Sequence, residues 1–494
     1  MASATASKLL LTATADFLSS STCSLRHRRA LAVSASRYPR IAPFPQDLVG
    51  WVKREGGFVH PKLKIADGGE YGLTLVASED IPRGSRLVAL PERLTLRLRW
   101  SQDDDCADRP DSPLSQLVKR VPGTVGNEMG LKLLQERAKT GSLWWPYISN
   151  LPEAFDIPIF FSGEDIKTYS MLLLFISFKH AFSIPYQVNK RCRFLLAFEK
   201  DVKSVLEDVD PGDHPFSGQD VNASSLGWAM SAVSSRAFRL RCKTPQDGSG
   251  ADVPVLLPLI DMCNHSFNPN AVIVEEKDNQ KLLVVSKTSI ETDVPVTLNY
   301  GSLTNDFFLL DYGFVISSNP HDHVELKYDG VLLDAAAIAA GVPSPSFSSP
   351  TEWQREILSS SIYMEMELFS SVSLKMLRPL TSALLVQVNL GGEEKVDGRL
   401  LAAFRAVLSD DREAAQKSDL STLMSLSAEA PWEPQLRHFP TKIMEDESIL
   451  KGDISESTRL AVEFRLQKKL MIVDLMRELT RRVKVLPKEA FLNR

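Results

Sequence analysis

Residues Leu256–Asn270 read LLPLIDMCNHSFNPN, an apolar run that passes directly into Asp261, Cys263, Asn264, His265 and Ser266. Polar groups that close to a buried strand need partners, because an unpaired buried donor or acceptor costs roughly 1–3 kcal/mol. A metal, a glycan, a reacting substrate or a cofactor could each supply them. On a strand, Asp261, Cys263 and His265 alternate and would face one side. Zinc would still need a fourth ligand and a supporting shell. No Cys/His cluster exists to supply them, so no metal is expected. Asn264-His265-Ser266 has the form of a glycosylation sequon, as does Asn222-Ala223-Ser224. A Ser or Cys nucleophile wants an organised base and oxyanion hole, and no G-x-S-x-G context is present. A satisfied structural turn fits as well. Taken alone, the stretch decides nothing.

The whole chain narrows the choice. At 494 residues it is long enough for two or three domains with real cores. Lys+Arg 57 against Asp+Glu 62 leaves no global basic field to recruit nucleic acid. The five cysteines stand singly and form no C-x-x-C pair, which disfavours a disulfide framework and suits a reducing compartment. Residues 1–40 are rich in Ser, Ala and Thr, carry several Arg and a single acid, Asp16. That is the composition of an organelle transit peptide, and its start favours a plastid. A plastid protein does not meet the glycosylation machinery, so the sequon reading falls with it. The most apolar stretch, Thr168–Gln187, is interrupted by Lys179 and His180. A spanning helix wants about 20 apolar residues, so no membrane span is expected.

Secondary-structure patterning is uneven along the chain. Leu73–Ala77 and Arg86–Leu90 read as strands around a turn at Pro82–Gly84. From Leu114 to about Phe238 helical periodicity dominates, broken by SLWWPYISNLP (Ser142–Pro152). Trp144, Trp145 and Tyr147 in that break read as core of the helical region. Val255–Tyr300 returns to short strands. Beyond about Val324 the pattern is helical, clearest over Ser349–Leu377 and Asp453–Val485, with VNLGGEEKVDG (Val388–Gly398) as a loop. Asp453 with Glu456 resembles a capping box. The expected class is α+β: a strand-rich domain over about 60–315, split by a helical insert at about 105–235, then an all-helical domain over 325–494.

Tyr300 lies 35 positions after His265 (300 − 265), inside VTLNYGSLTNDFFLLDYGFV (Val296–Val315). Upstream stand GGEYGLTLVA (Gly68–Ala77) and SAVSSRAF (Ser231–Phe238). These four pieces, in this order, resemble the SET-domain protein methyltransferases, and more narrowly the plant Rubisco large-subunit lysine methyltransferase group. The resemblance covers most of residues 60–494. It implies a split SET domain, a C-terminal helical substrate-binding domain and S-adenosylmethionine as cofactor. By position, it implies that Asn264 and His265 hold the adenine end of the cofactor in a knot-like crossing. Asp261 matches an acidic cofactor-pocket position, and Arg236 an arginine near the cofactor's carboxylate, a task that suits a guanidinium. Gly72 and Leu73 match a turn where main chain approaches the cofactor, Tyr300 matches the catalytic tyrosine, and Tyr312 a second aromatic of the methyl-transfer channel.

Two features depart from that family. Its E-G-L-G-L pattern stands here as Glu70-Tyr71-Gly72-Leu73-Thr74, with the acid displaced by one residue and Thr74 in place of the second glycine. Glu70 is retained as a cofactor-binding candidate on this basis. Thr168–Gln187 has the Phe/Leu/Ile/Ser-rich composition of a translated T-rich intron, where relatives carry a polar helix. The expected function is transfer of a methyl group to a lysine of a stromal protein, with Rubisco large subunit and fructose-bisphosphate aldolase as the family's usual substrates. A histidine acceptor and a non-catalytic SET-fold scaffold are the alternatives. The expected partner is a protein substrate, the expected location the chloroplast stroma, and the expected state a monomer.

Overall fold

The computed structural model describes residues 40–68, 72–97, 112–121, 125–170, 184–243, 250–276, 281–327, 352, 387–393, 395–398 and 441–484. Residues 1–39, Glu70, the core of Thr168–Gln187 and nearly all of Ser349–Leu377 lie outside the described residues. Those that are described fall into two compact units. One draws on Met1–Gly163, Val188–Ser302 and Leu310–Gly313, the other on Glu164–Gln187, Leu303–Leu309 and Phe314–Arg494.

The first unit opens with helix α1 (Leu48–Arg54), whose N-terminus is capped by Asp47 accepting from the Gly50 N–H at 2.9 Å. Strands β1 (Phe58–Val59), β2 (Leu63–Asp67), β3 (Leu73–Ala77) and β4 (Arg86–Pro91) follow. In β4 the four consecutive residues Leu87–Leu90 are buried, the pattern of a strand covered on both faces. β2 and β3 pair antiparallel from Leu63↔Ala77 to Asp67↔Leu73. The strands read from sequence at Leu73–Ala77 and Arg86–Leu90 are thus present.

The insert contributes α2 (Pro113–Arg120), α3 (Val125–Ala138), α4 (Trp145–Ile148), α5 (Ile184–Leu206) and α6 (Ala223–Arg236). Asn222 is the N-cap of α6: its side chain accepts from the Ser225 N–H, and Ser225 Oγ accepts from the Asn222 N–H, each at 3.0 Å. A capping box therefore employs the amide of the second sequon. Helix α6 packs on α3 and runs without a loop into β5 (Ala237–Lys243), which pairs antiparallel with β6 (Gly250–Leu256).

Next come β7 (Asn264–His265), β8 (Ala271–Glu276), β9 (Lys281–Ser286) and β10 (Thr297–Leu298). β1, β4, β9 and β8 form one antiparallel sheet in that order. β9 alternates half-buried and buried residues, as a strand with one face on the core should. β7 and β10 pair in parallel, Thr297 with Asn264 and Leu298 with His265.

In the second unit, β11 (His323–Lys327), β12 (Gln387–Gly391) and β13 (Lys395–Val396) form an antiparallel sheet. The segment read as a loop at Val388–Gly398 is therefore largely a hairpin; its Gly391 and Gly392, at φ 114° and 70°, supply the turn. The helices expected near the C-terminus are α7 (Ile443–Leu450) and α8 (Glu456–Lys484). The cap of α8 is Ser455, whose hydroxyl accepts from the Thr458 N–H at 3.1 Å, two residues after the expected Asp453. Inside this unit Asp446 meets Arg465 and Lys469, and Lys468 meets Asp306 and Asp322. No helix among the described residues is long and apolar enough to cross a membrane.

Candidate active site

The parallel pair β7–β10 forms the centre. It brings the Tyr300 N–H to Nδ1 of His265 at 3.1 Å. Nδ1 is then an acceptor, which in a neutral ring leaves the proton on Nε2. The Tyr300 hydroxyl donates to the carbonyl of Cys263 at 2.7 Å. The Tyr300 ring lies 5.2 Å from that of His265, and 5.2 Å from that of Tyr312 at an interplanar angle of 24°. Burial pushes the Tyr300 hydroxyl well above the ordinary phenol range, and the Tyr312 hydroxyl is pushed up to about 12, mainly by burial and then by Asp311. Both phenols are therefore neutral at physiological pH.

Local backbone explains how Tyr312 is held. Phe308–Tyr312 is a π-helical turn, a geometry concentrated at functional sites. Gly313 follows at φ 78°, and a Cβ there would lie 2.4 Å from the Asp156 carbonyl. Only glycine fits that position.

Asp261 and Arg236 form the second part of the site. Arg236, the last residue of α6, places Nη1 3.3 Å from both the carbonyl and Oδ2 of Asp261. The Asp261 side chain is wholly buried, and Tyr147 of α4 donates its hydroxyl to the same Oδ2 at 2.8 Å. Burial raises the pKa of Asp261, opposed by Arg236 and the Tyr147 hydrogen bond. Asp261 does not alternate on a strand with Cys263 and His265, as the sequence suggested. It sits in a 3-10 turn, Ile260–Met262, entered through Leu259 at φ 69° and ψ −40°. A non-glycine residue there is strained, at a cost of about 1–3 kcal/mol.

The third part is the turn before β3. Gly72 has φ 69°, and the Gly68 N–H donates to its carbonyl at 2.6 Å. Leu73 begins β3 and pairs with Asp67. Thr74 is 3% exposed, and its hydroxyl has no hydrogen-bond partner among the described residues. Glu70 lies outside those residues. No group of three or more His, Cys, Asp or Glu among the described residues is arranged to hold a metal ion.

Within these parts of the site, Thr74 Oγ1, Arg236 Nε and Asp261 Oδ1 are buried without a hydrogen-bond partner among the described residues. Native interiors satisfy nearly all such atoms, so these fit a polar organic ligand. A cavity of roughly 650 Å³ opens within the same unit between α3, α5, α6 and β5, walled in part by Asn127, Phe194, Met230, Arg239 and Asp311. Asp311 precedes Tyr312 and pairs with Arg191 at 2.6 Å. Tyr147 is the residue the sequence reading missed. Its place in the insert core follows from sequence, but a buried phenol also needs a hydrogen-bond partner.

Comparison with known proteins agrees with this architecture. Residues 72–301 match the family model for the SET domain. The fold of the chain is that of a SET domain: the crystal structure of the SET domain of LSMT bound to lysine and AdoHcy superposes with a TM-score of 0.55 at 17% identity, covering 90% of this chain and 91% of that one. The structure of Rubisco LSMT bound to AdoMet superposes with a TM-score of 0.54 at 16% identity, covering 88% and 91%. Among curated proteins, actin-histidine N-methyltransferases of Callithrix jacchus and Homo sapiens are each 24% identical over 446 residues. Those alignments take in 86% of this chain, which spans 66% of the length of these relatives.

Proposed function

We propose that the protein is an S-adenosylmethionine-dependent protein methyltransferase that modifies a side-chain nitrogen, with a lysine of a plastid stromal protein as the acceptor. The observation that carries this reading is the Tyr300–Tyr312 ring pair set against the β7–β10 crossing of Asn264 and His265. When bound, S-adenosylmethionine supplies an electrophilic methyl group. Arg236, Asp261, Asn264, His265 and the Gly72–Leu73 turn are the residues that would hold it, and the buried Thr74 hydroxyl would be open to the same ligand.

The acceptor must be neutral to attack. At about pH 8 only about one lysine in 250 is neutral in water. Enclosure beside the stacked Tyr300–Tyr312 pair disfavours the ammonium by desolvation. Tyr300 does not serve as the base, because its burial keeps it protonated. Its hydroxyl donates a hydrogen bond to the Cys263 carbonyl, so its oxygen lone pairs face away from that bond and can orient the amine. Holding nitrogen, methyl and sulfur in line supplies the remaining advantage.

A histidine acceptor is the second reading, and the actin-histidine N-methyltransferases that match most of this chain support it. The Ser/Ala/Thr-rich, acid-poor composition of residues 1–40 supports a plastid location. Incubating the protein with methyl-labelled S-adenosylmethionine and stromal extract, then hydrolysing the labelled product, tests all of this at once. Label in N-methyllysine supports the first reading and label in methylhistidine the second. Labelled cofactor consumed by neither would contradict both.

A further inference from the structure

Asp261 is gripped from two directions. Arg236 approaches from the end of α6, and Tyr147 reaches the same oxygen from α4, a helix of the insert 114 residues away in sequence. Resting on the assignment of Arg236 and Asp261 to the S-adenosylmethionine pocket, we infer that Tyr147 is a positioning residue of that pocket. Its hydroxyl fixes the Asp261 carboxylate in the orientation that seats Arg236 and leaves Oδ1 for the ligand.

The geometry supports a role beyond packing. A carboxylate facing a lone arginine normally offers both oxygens to the guanidinium fork. Here Tyr147 and Arg236 share Oδ2, and Oδ1 takes no hydrogen bond among the described residues although it is buried. The phenol therefore decides which oxygen remains open. Tyr147 itself cannot drift. It is fully buried, and its short helix is pinned by Asn150, whose Nδ2 donates to the carbonyls of Gln46 and Pro146 at 2.9 and 2.8 Å. Trp144, beside it, packs edge-on against Trp51 of α1 at 5.9 Å.

The groups that bear on Asp261 are Tyr147 from α4, Arg236 from α6, Cys263 just after its own turn and Tyr300 two residues past β10. Arg236 is the cation among them. Burial favours the protonated carboxyl, while Arg236 and the Tyr147 hydroxyl favour the carboxylate. Removing the hydroxyl lets Asp261 take up a proton at higher pH, so ligand binding fails earlier on acidification.

The test is calorimetric titration of S-adenosylmethionine into the full chain across the pH range where it stays folded. Tyr147→Phe keeps the ring and is expected to weaken binding roughly tenfold, about 1.4 kcal/mol, and to move the acid-side loss of binding to higher pH. In an Asp261→Asn background the same change should have almost no further effect, and the acid-side loss should vanish. Unaltered affinity and pH profile in Tyr147→Phe, beside a binding wild type, overturns the positioning role alone. So does an undiminished tenfold loss in the Asp261→Asn background, or an acid-side loss that survives Asp261→Asn. A folded wild type that does not bind overturns the pocket assignment and this role together.

Discussion

Tyr300 is tied to His265 through its main chain: its N–H donates to Nδ1 of the imidazole at 3.1 Å, across the parallel pairing of β7 with β10. The bond ties the side chain of β7 to the backbone two residues past β10. His265→Ala leaves a half-buried N–H without its acceptor, at about 1–3 kcal/mol. The expected drop in thermal midpoint is roughly 2–4 °C per kcal/mol lost, together with loss of S-adenosylmethionine binding. An unchanged midpoint would show that the crossing is held by something else.

Tyr300→Phe keeps the ring against Tyr312 and removes only the bond to Cys263. Methyl transfer in a single turnover should slow by roughly 10²–10³-fold, the range for losing one preorganised polar group. Cofactor affinity should change little. A larger loss of affinity than of rate would reassign Tyr300 to binding.

Thr74 contributes a buried hydroxyl with no partner among the described residues. Thr74→Val, nearly isosteric, should therefore stabilise the free protein by about 1 kcal/mol. If the hydroxyl serves the ligand, the same change weakens S-adenosylmethionine binding. Greater stability with unaltered binding would leave Thr74 outside the pocket.

The acceptor can be read from pH dependence. Tyr300 and Tyr312 stay protonated over the working range, so neither imposes an alkaline limit. With a lysine acceptor, kcat/KM should climb with pH towards about 10; with histidine it should level off above about 7. The slope on the alkaline side, measured with a peptide carrying the labelled residue, separates the two.

In the C-terminal unit, Asp446 is wholly buried against Arg465 and Lys469. Burial alone would raise its pKa, but hydrogen bonds from Arg465, Lys469 and Thr441 outweigh it and hold the carboxyl below its ordinary range. A depressed folded-state pKa gives stability that is present above the unfolded value of about 3.9 and lost as pH falls through the folded one. Asp446→Asn should cost about 3–5 kcal/mol at neutral pH and flatten that acid dependence, as circular dichroism melts would record.

The pieces that were legible in the sequence are the local ones. β-rich runs around the Pro82–Gly84 turn marked β3 and β4, and the motifs around His265 and Tyr300 identified the residues that meet at the β7–β10 pairing. What could not be read depends on long-range closure. Asp261 leaves the strand register because Leu259 adopts a strained conformation that its sequence does not announce. Tyr147 looked like one more core aromatic, since nothing local says that its hydroxyl meets a carboxylate 114 residues on. The capping box at Asp453 lost to Ser455, which offers a hydroxyl closer to the first free N–H groups of α8. Val388–Gly398 reads in sequence as a loop between helical pieces, whereas its paired residues extend the sheet begun by β11.

The most direct test of the central claim is calorimetric titration of S-adenosylmethionine into the folded full chain, repeated with Asn264→Ala. Binding near micromolar, about −8 kcal/mol, is expected, strongly weakened in Asn264→Ala. Absence of binding to well-folded protein would contradict it and favour a non-catalytic SET-fold scaffold.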